Sequence, residues 1–222
     1  MSLSGQGIGY TGEDVLEDYI SRHISPESGL LESLYRETNL AMLNPRMVSG
    51  HIQGRVIKML VSMIRPSNVL EVGTFTGYAT LCIAEALPPY GRIHTVEIDD
   101  EKEDFIRKWI DSSPYSDRII LHIGDALEVV PSLGEQFDMA FIDGEKREYP
   151  EYWDKLFPYI KKGGFIIVDN TLWDGHVADS RFNDEQTEAI RKFNDMVASD
   201  RRVEVAIIPI RDGLSVIRKN EN

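Results

Sequence analysis

Residues 166–177 read IIVDNTLWDGHV, an apolar run that stops at Asp169 and Asn170. Residues 139–149 read MAFIDGEKREY, a second apolar run that stops at Asp143, with Lys146 three positions on. If these two runs are neighbouring parallel strands, their carboxyl ends lie about 5 Å apart, so three oxygen-bearing side chains converge on one cation. Carboxylate and amide oxygens suit a hard ion, Mg²⁺ foremost with Mn²⁺ or Ca²⁺ as alternatives, and no Cys or His cluster in the sequence suits structural zinc. A lysine beside such an ion in a desolvated pocket gives up its proton more readily and can serve as a base. Each residue also has a plainer reading. Asp and Asn commonly end strands, and a lysine at a helix start is commonly a solvated charge.

A second constellation precedes the first. VLEVGTFTGYAT (69–80) puts Glu71 inside a strand and Gly73 and Gly77 where the chain turns into a helix, allowing close backbone approach to a ligand at a helix start. The spacing is G-x-x-x-G and lacks the middle glycine that admits a pyrophosphate, which argues against NAD and an oxidoreductase. The next strand ends in HTVEIDD, so Glu97 can accept hydrogen bonds from ribose hydroxyls or be a solvated strand end. The third ends in ILHIGDALEVV, where Gly124-Asp125-Ala126 can flank a flat base or Asp125 can cap the following helix. Three such signals at successive strand ends fit a nucleoside site, because ligands of open α/β sheets bind where those ends converge.

The elements that must position these residues alternate. Strand-like runs fall at 69–72, 92–98, 119–123, 139–142 and 165–168, with helical segments near 76–87, 100–112, 126–132 and 150–160. Near-continuous apolar strands separated by helices predict a parallel sheet covered on both faces. After a polar helix around 184–199, VEVAIIPI and GLSVIRK flank Arg211-Asp212 and predict a closing antiparallel hairpin. Residues 13–63 read as helices, broken at Pro26 and at Asn44-Pro45, and the small, polar residues 1–12 are expected to be disordered.

The E-V-G-x-x-x-G loop, the acid ending the second strand and the Gly-Asp-Ala ending the third resemble the S-adenosylmethionine site of class I methyltransferases. MAFIDGEKREY, IIVDNTLWDGHV and IIPIRDGLSVIRK (207–219) extend the likeness to the metal-dependent O-methyltransferases of the caffeoyl-CoA and catechol type, across residues 40–219. The resemblance implies one α/β methyltransferase domain over 1–222, a doubly wound Rossmann-like fold. Its seven-stranded mixed sheet has the order 3-2-1-4-5-7-6, with helices on both faces, an N-terminal helical extension and an S-adenosylmethionine-binding core over 68–219. It assigns metal binding to Asp143, Asp169 and Asn170, and catalysis to Lys146 as general base with Asp143. Around the cofactor it places Glu71, Gly73, Phe75, Gly77, Tyr78, Ala79, Glu97, Asp125, Ala126 and Asp143, with Met47 and Ser49 from the segment before the third helix. Ala79 stands where relatives often carry a serine, and Asp143-Gly144-Glu145-Lys146 stands where they commonly read D-A-D-K, so the outer positions match and the middle ones differ. The implied reaction coordinates one of two adjacent aromatic hydroxyls, with a pKa of about 10 in water, to the cation, deprotonates it and methylates the phenolate. Trp173, Arg211 and Asp212 are candidates to meet the acceptor, and Trp173 has an equal reading as a core or interface anchor. The implied assembly is a homodimer.

Composition narrows the partners. With 222 residues the chain holds one sizeable core, and 37 acids against 24 Lys and Arg leave a charge of −13, unfavourable for nucleic acid. That weighs against a tRNA 5-hydroxyuridine methyltransferase of the same fold, and the four residues Asp143, Lys146, Asp169 and Asn170 weigh against a non-catalytic cofactor-binding module. Cys82 lies in the apolar run TLCIAEAL and reads as core. No run of about 18 apolar residues and no apolar signal core is present, so a cytoplasmic protein with no membrane partner is expected. His51 and His176 lie near candidate loops and are given no role.

Overall fold

Apolar side chains on both sides of each central strand require that both sheet faces be covered, and the computed structural model, which describes residues 12–220, shows how. Every residue of β1 (Asn68–Val72) is buried. Its side chains alternate: Val69 joins one apolar cluster with Met139, Phe141 and Ile167, while Leu70 and Val72 join another with Ala140, Ile142, Ile166 and Val168. The first cluster is covered by α2 (Gly29–Ala41), α3 (Gly50–Ile64), α4 (Tyr78–Ala86) and α5 (Glu103–Asp111), the second by α6 (Ala126–Leu133), α7 (Tyr149–Leu156) and α8 (Glu185–Ser199). A further helix, α1 (Gly12–His23), precedes them.

With β2 (Arg92–Glu97), β3 (Ile119–Ile123), β4 (Phe137–Ile142), β5 (Ile160–Val168), β6 (Val203–Ile208) and β7 (Leu214–Lys219), the sheet order is β3-β2-β1-β4-β5-β7-β6. Strands β1 to β5 pair in parallel, and β7 runs antiparallel to both β5 and β6. The seven strands, their order and the closing hairpin are those expected. The order reverses between β1 and β4, which opens a crevice at the carboxyl ends of the strands. No helix among the described residues is long and apolar enough to cross a membrane.

Several boundaries differ from the sequence reading. Strand β5 starts five residues earlier than the expected 165, because Lys161-Lys162-Gly163-Gly164 stays in the strand: Phe137 pairs with Ile160, Met139 with Phe165, and the irregularity between them holds Gly163 at φ 77°. The helix expected over 150–160 stops at Leu156 and becomes a 3₁₀ turn at Phe157–Tyr159, where Pro158 cannot continue it. Strand β2 ends at Glu97 rather than residue 98. The disorder expected over 1–12 lies outside the described residues except for Gly12, which begins α1. Cys82 is fully buried, and burial pushes its thiol up to about 12, as suits a core residue.

On β2 and β3, His94 and His122 stack with ring centroids 5.3 Å apart, and Nδ1 of His94 shares a hydrogen bond of 3.1 Å with Nε2 of His122. Burial first, then the His122 ring and Arg92, hold His94 below its ordinary pKa against a contrary pull from Glu135, and burial does the same to His122. The pair is therefore neutral in the fold and takes up protons more readily when unfolded, so its contribution is present above the unfolded value of about 6.5 and is lost as pH falls through the depressed folded values. Comparing urea unfolding of wild type and His122→Gln, we expect the difference to shift in favour of the variant between pH 7.5 and pH 5.5. A difference that does not change with pH would contradict the assignment.

Candidate active site

The crevice holds a cavity of about 600 Å³ whose floor is set by the sheet ladder. The ladder runs one residue past each strand: Gly73 N–H donates to Val96 O at 3.0 Å, Asp143 N–H to Val72 O at 2.8 Å and Asp169 N–H to Ile142 O at 3.0 Å. Gly73, Asp143 and Asp169 are thus brought level on three adjacent strands. Gly73 has φ 94°, and a Cβ there would collide with the Asp143 carbonyl, so no other residue fits this turn.

On one side, Gly73, Phe75, Glu97, Asp125 and Ala126 line the cavity. Glu97 is buried, and its two oxygens accept from Phe75 N–H at 2.7 Å and Asp99 N–H at 3.1 Å, which ties the glycine loop to the end of β2. Asp125 does cap α6, accepting from Leu127 N–H at 2.8 Å, and lines the cavity as well; the two sequence readings of this residue are compatible. Met47 lies at the exposed mouth. Glu71, Ser49, Gly77, Tyr78 and Ala79 are not in the wall. Ser49 is buried and its carbonyl accepts from Arg211, while Gly77, Tyr78 and Ala79 form the start of α4 behind the loop. The Tyr78 hydroxyl donates to Glu27, toward the N-terminal helices and away from the cavity.

On the other side stand Asp143, Lys146, Asp169 and Asn170, with Trp173, Arg211 and Asp212 around them. Lys146 Nζ donates to Asp143 Oδ1 at 2.6 Å and to Gly144 O at 3.1 Å. Burial is the largest influence on Lys146 and pushes its pKa down, yet Tyr149 and the Asp143 carboxylate together outweigh it and hold the group above the ordinary lysine value. Lys146 is an ammonium here, not the free amine that a base requires. Asp169, 4% exposed, accepts from Asn170 N–H at 2.8 Å and from Gln53 Nε2 at 2.6 Å. Burial first and Asp143 second raise its pKa, against the lowering effects of Gln53, Lys146 and the Asn170 N–H. Asn170 adopts φ 57°, and its Nδ2 donates to Asp212 Oδ2 at 3.3 Å, leaving Oδ1 as the acceptor end. Trp173 both packs on the core under α7 and α8 and lines the cavity.

Gln53 and Tyr149 escape a reading confined to strand ends. Tyr149 is buried and its hydroxyl donates to Asp169 O at 2.9 Å. Gln53 does leave a signal, since it is a carboxamide on the buried stripe of α3 between Gly50, Gly54, Ile57 and Val61. His51 instead bonds Ser25 O at 2.8 Å and His176 stacks on Phe182 at 3.7 Å; neither lines the cavity.

Residues 21–220 match the family model described as O-methyltransferase. The chain is 32% identical over 160 residues to a catechol O-methyltransferase of Niastella koreensis, covering 70% of this chain and 72% of that one. It is 34% identical over 179 residues to a caffeoyl-CoA O-methyltransferase of Populus kitakamiensis, covering 75% and 76%. The O-methyltransferase from Bacillus cereus, solved in complex with SAH, superposes with a TM-score of 0.87 at 28% identity over 93% of this chain and 97% of that one.

Behind the glycine loop, Glu71 is fully buried, with Oε2 accepting from Thr80 Oγ1 at 2.5 Å and Oε1 without a partner among the described residues. Burial, reinforced by Asp143 and Glu97 and opposed by Thr80 and Thr95, pushes its pKa up to about 8. A carboxyl whose folded pKa lies above its unfolded one contributes fully below the unfolded value and loses that contribution as pH rises through the folded one. Glu71→Gln keeps the hydrogen bonding without the titration, so its stability relative to wild type is expected to rise between pH 6 and pH 9 in urea unfolding. A constant difference over that range would show that Glu71 is charged throughout.

Proposed function

Because the chain belongs to the O-methyltransferase family and is an S-adenosylmethionine-dependent O-methyltransferase, we propose that it methylates one hydroxyl of a small aromatic acceptor bearing two adjacent hydroxyls, held at a divalent cation, most suitably Mg²⁺. One observation carries the reading: the Asp143 and Asp169 carboxylates and the Asn170 amide, from the ends of paired strands, share one cavity wall with Lys146. The donor set fits a hard cation. It offers two carboxylates and an amide oxygen, and no cluster of three His, Cys, Asp or Glu among the described residues provides an alternative. Burial first and Asp143 second raise the pKa of Asp169, and a cation at the pair would offset both. The relatives named for catechol and caffeoyl-CoA act on molecules with just such a pair of hydroxyls.

The residues divide the work. Glu97, held by two backbone N–H groups, presents its remaining lone pairs to ribose hydroxyls, and Asp125-Ala126 border the base. Asp143, Asp169 and Asn170 would hold the cation, which when bound would lower the pKa of a coordinated hydroxyl. Trp173 offers its ring to the acceptor. Lys146 Nζ receives the acceptor's proton: with Asp143 drawn away, burial, its largest single influence, favours the neutral amine against the remaining pull of Tyr149. The phenolate oxygen then forms a bond to the sulfonium methyl as the carbon–sulfur bond breaks. An anion and a cation become neutral, so a cavity that excludes water and aligns the partners favours the step.

Methyl transfer from labelled S-adenosylmethionine to a panel of catechols and caffeoyl thioesters should stop in excess EDTA and return with Mg²⁺. Undiminished turnover in the chelator would remove the cation from the mechanism. Asp169→Ala should abolish turnover while S-adenosylmethionine still binds by calorimetry. Lys146→Met should lower kcat roughly 10²–10⁴-fold, as loss of a general base does; a wild-type kcat would take the base role from Lys146.

A further inference from the structure

Asp169 is oriented by a chain of contacts that begins far from it in sequence. Gln53, 1% exposed on α3, donates through Nε2 to Asp169 Oδ2 at 2.6 Å, and its Oε1 accepts from Arg211 Nη1 at 2.9 Å. Reversing the amide would set its NH₂ against the guanidinium and its carbonyl against the carboxylate, so one orientation alone satisfies both neighbours. Arg211 stands at the tip of the β6–β7 hairpin at φ 47°. Its guanidinium also donates to Val48 O at 3.0 Å, to Ser49 O and to Arg46 O at 3.4 Å, and no carboxylate pairs with it among the described residues. Its charge therefore reaches Asp169 by way of the Gln53 amide, which it both orients and polarises.

We propose that Gln53, set by Arg211, is the positioning residue that fixes the Asp169 carboxylate for cation binding, so that the hairpin tip, through Arg211 and Asp212, governs both oxygen donors at the end of β5. The proposal rests on the cation reading given above. With Oδ2 bonded to Gln53 and Oδ1 to the Asn170 N–H, the carboxylate plane is held from two sides while each oxygen keeps lone pairs for a ligand. From the same tip, Asp212 takes the Nδ2 of Asn170 and leaves its Oδ1 as the acceptor. The tip is in turn fastened beside β5, since Thr171 N–H donates to Gly213 O at 3.1 Å and Leu172 N–H to Asp212 O at 2.7 Å. Loss of such an outer partner typically weakens metal binding about 10–100-fold, because the ligand must be ordered at the moment of binding.

The test is Mn²⁺ binding to the full-length protein without acceptor, measured by calorimetry or the free-ion electron paramagnetic signal, beside S-adenosylmethionine affinity and thermal stability. Gln53→Leu should weaken Mn²⁺ binding about 10–100-fold with S-adenosylmethionine affinity retained, and excess cation should restore its kcat. Arg211→Ala, at an exposed tip, should show the same kind of loss to a smaller degree and serves where the buried variant does not fold. The double variant should be no weaker than Gln53→Leu alone, because Arg211 acts through Gln53. Wild type that binds Mn²⁺ beside variants of equal affinity overturns this proposal by itself, as do parallel losses of Mn²⁺ and S-adenosylmethionine binding that track falling stability. A wild type that binds no cation overturns the cation reading and this proposal together.

Discussion

Everything at the site hangs on the register of three parallel strands. Val72 is level with Ile142, and Ile142 with Val168, so the next residues, Gly73, Asp143 and Asp169, are forced side by side as the ladder runs out. A slip of one residue would turn Asp143 and Asp169 to opposite faces, and the apolar alternation of β4 and β5 between the two cores forbids that slip. The same register sets Gly73 against the Asp143 carbonyl, with no room for a side chain. The turn that starts the glycine loop and the strand end that carries Asp143 are therefore one joint. Movement of either is felt by both.

The charge of the cavity follows from what surrounds that joint. Acidic side chains outnumber basic ones in its wall, and most of the bases are committed: Lys102 to Asp99, Lys146 to Asp143, Arg211 to backbone carbonyls and Gln53. Burial leaves Glu71 and Asp169 reluctant to hold their charge. Such a pocket is built to receive positive charge. A sulfonium cosubstrate satisfies that demand, as the proposed divalent ion would, and the proposed reaction consumes the sulfonium charge once the methyl has moved.

What the sequence made legible is what obeys a local period. Strand ends, the glycines after β1 and the acids after β2, β3, β4 and β5 follow from apolar runs and the residues that stop them, and the sheet then gathers them without further instruction. The direction of a side chain on a helix is not local in that sense. Tyr78 and Ala79 follow Gly77 by one and two positions, yet α4 packs against α3 and aims the Tyr78 hydroxyl at Glu27. The Gln53 contacts span 116 residues to Asp169 and 158 to Arg211, and nothing in the neighbouring residues encodes those distances. Gly163-Gly164, outside the strand expected at 165–168, is a related case. The pair lies between the pairings of Ile160 with Phe137 and of Phe165 with Met139 in β4, and those pairings on either side keep it in the strand.

Lys146 shows how far residue type alone carries an argument. A lysine in a desolvated pocket suggests a neutral amine, and burial does act on Lys146 in that direction more strongly than any other single influence. It is overruled because Asp143 lies 2.6 Å away and Tyr149 packs beneath it, so the folded protein keeps the ammonium. The protonation of Lys146 is thus a balance in which burial opposes Tyr149 and Asp143, and Asp143 is the partner that a ligand in the cavity can engage. In the proposed reaction Asp143 would not serve the lysine and a cation to the same extent, so a bound cation would draw Asp143 away and weaken one of the two influences, beside Tyr149, that keep Lys146 charged. In that reading ligand and base are coupled through one carboxylate, and the three-residue spacing of Asp143 and Lys146 in the turn after β4 keeps the coupling short.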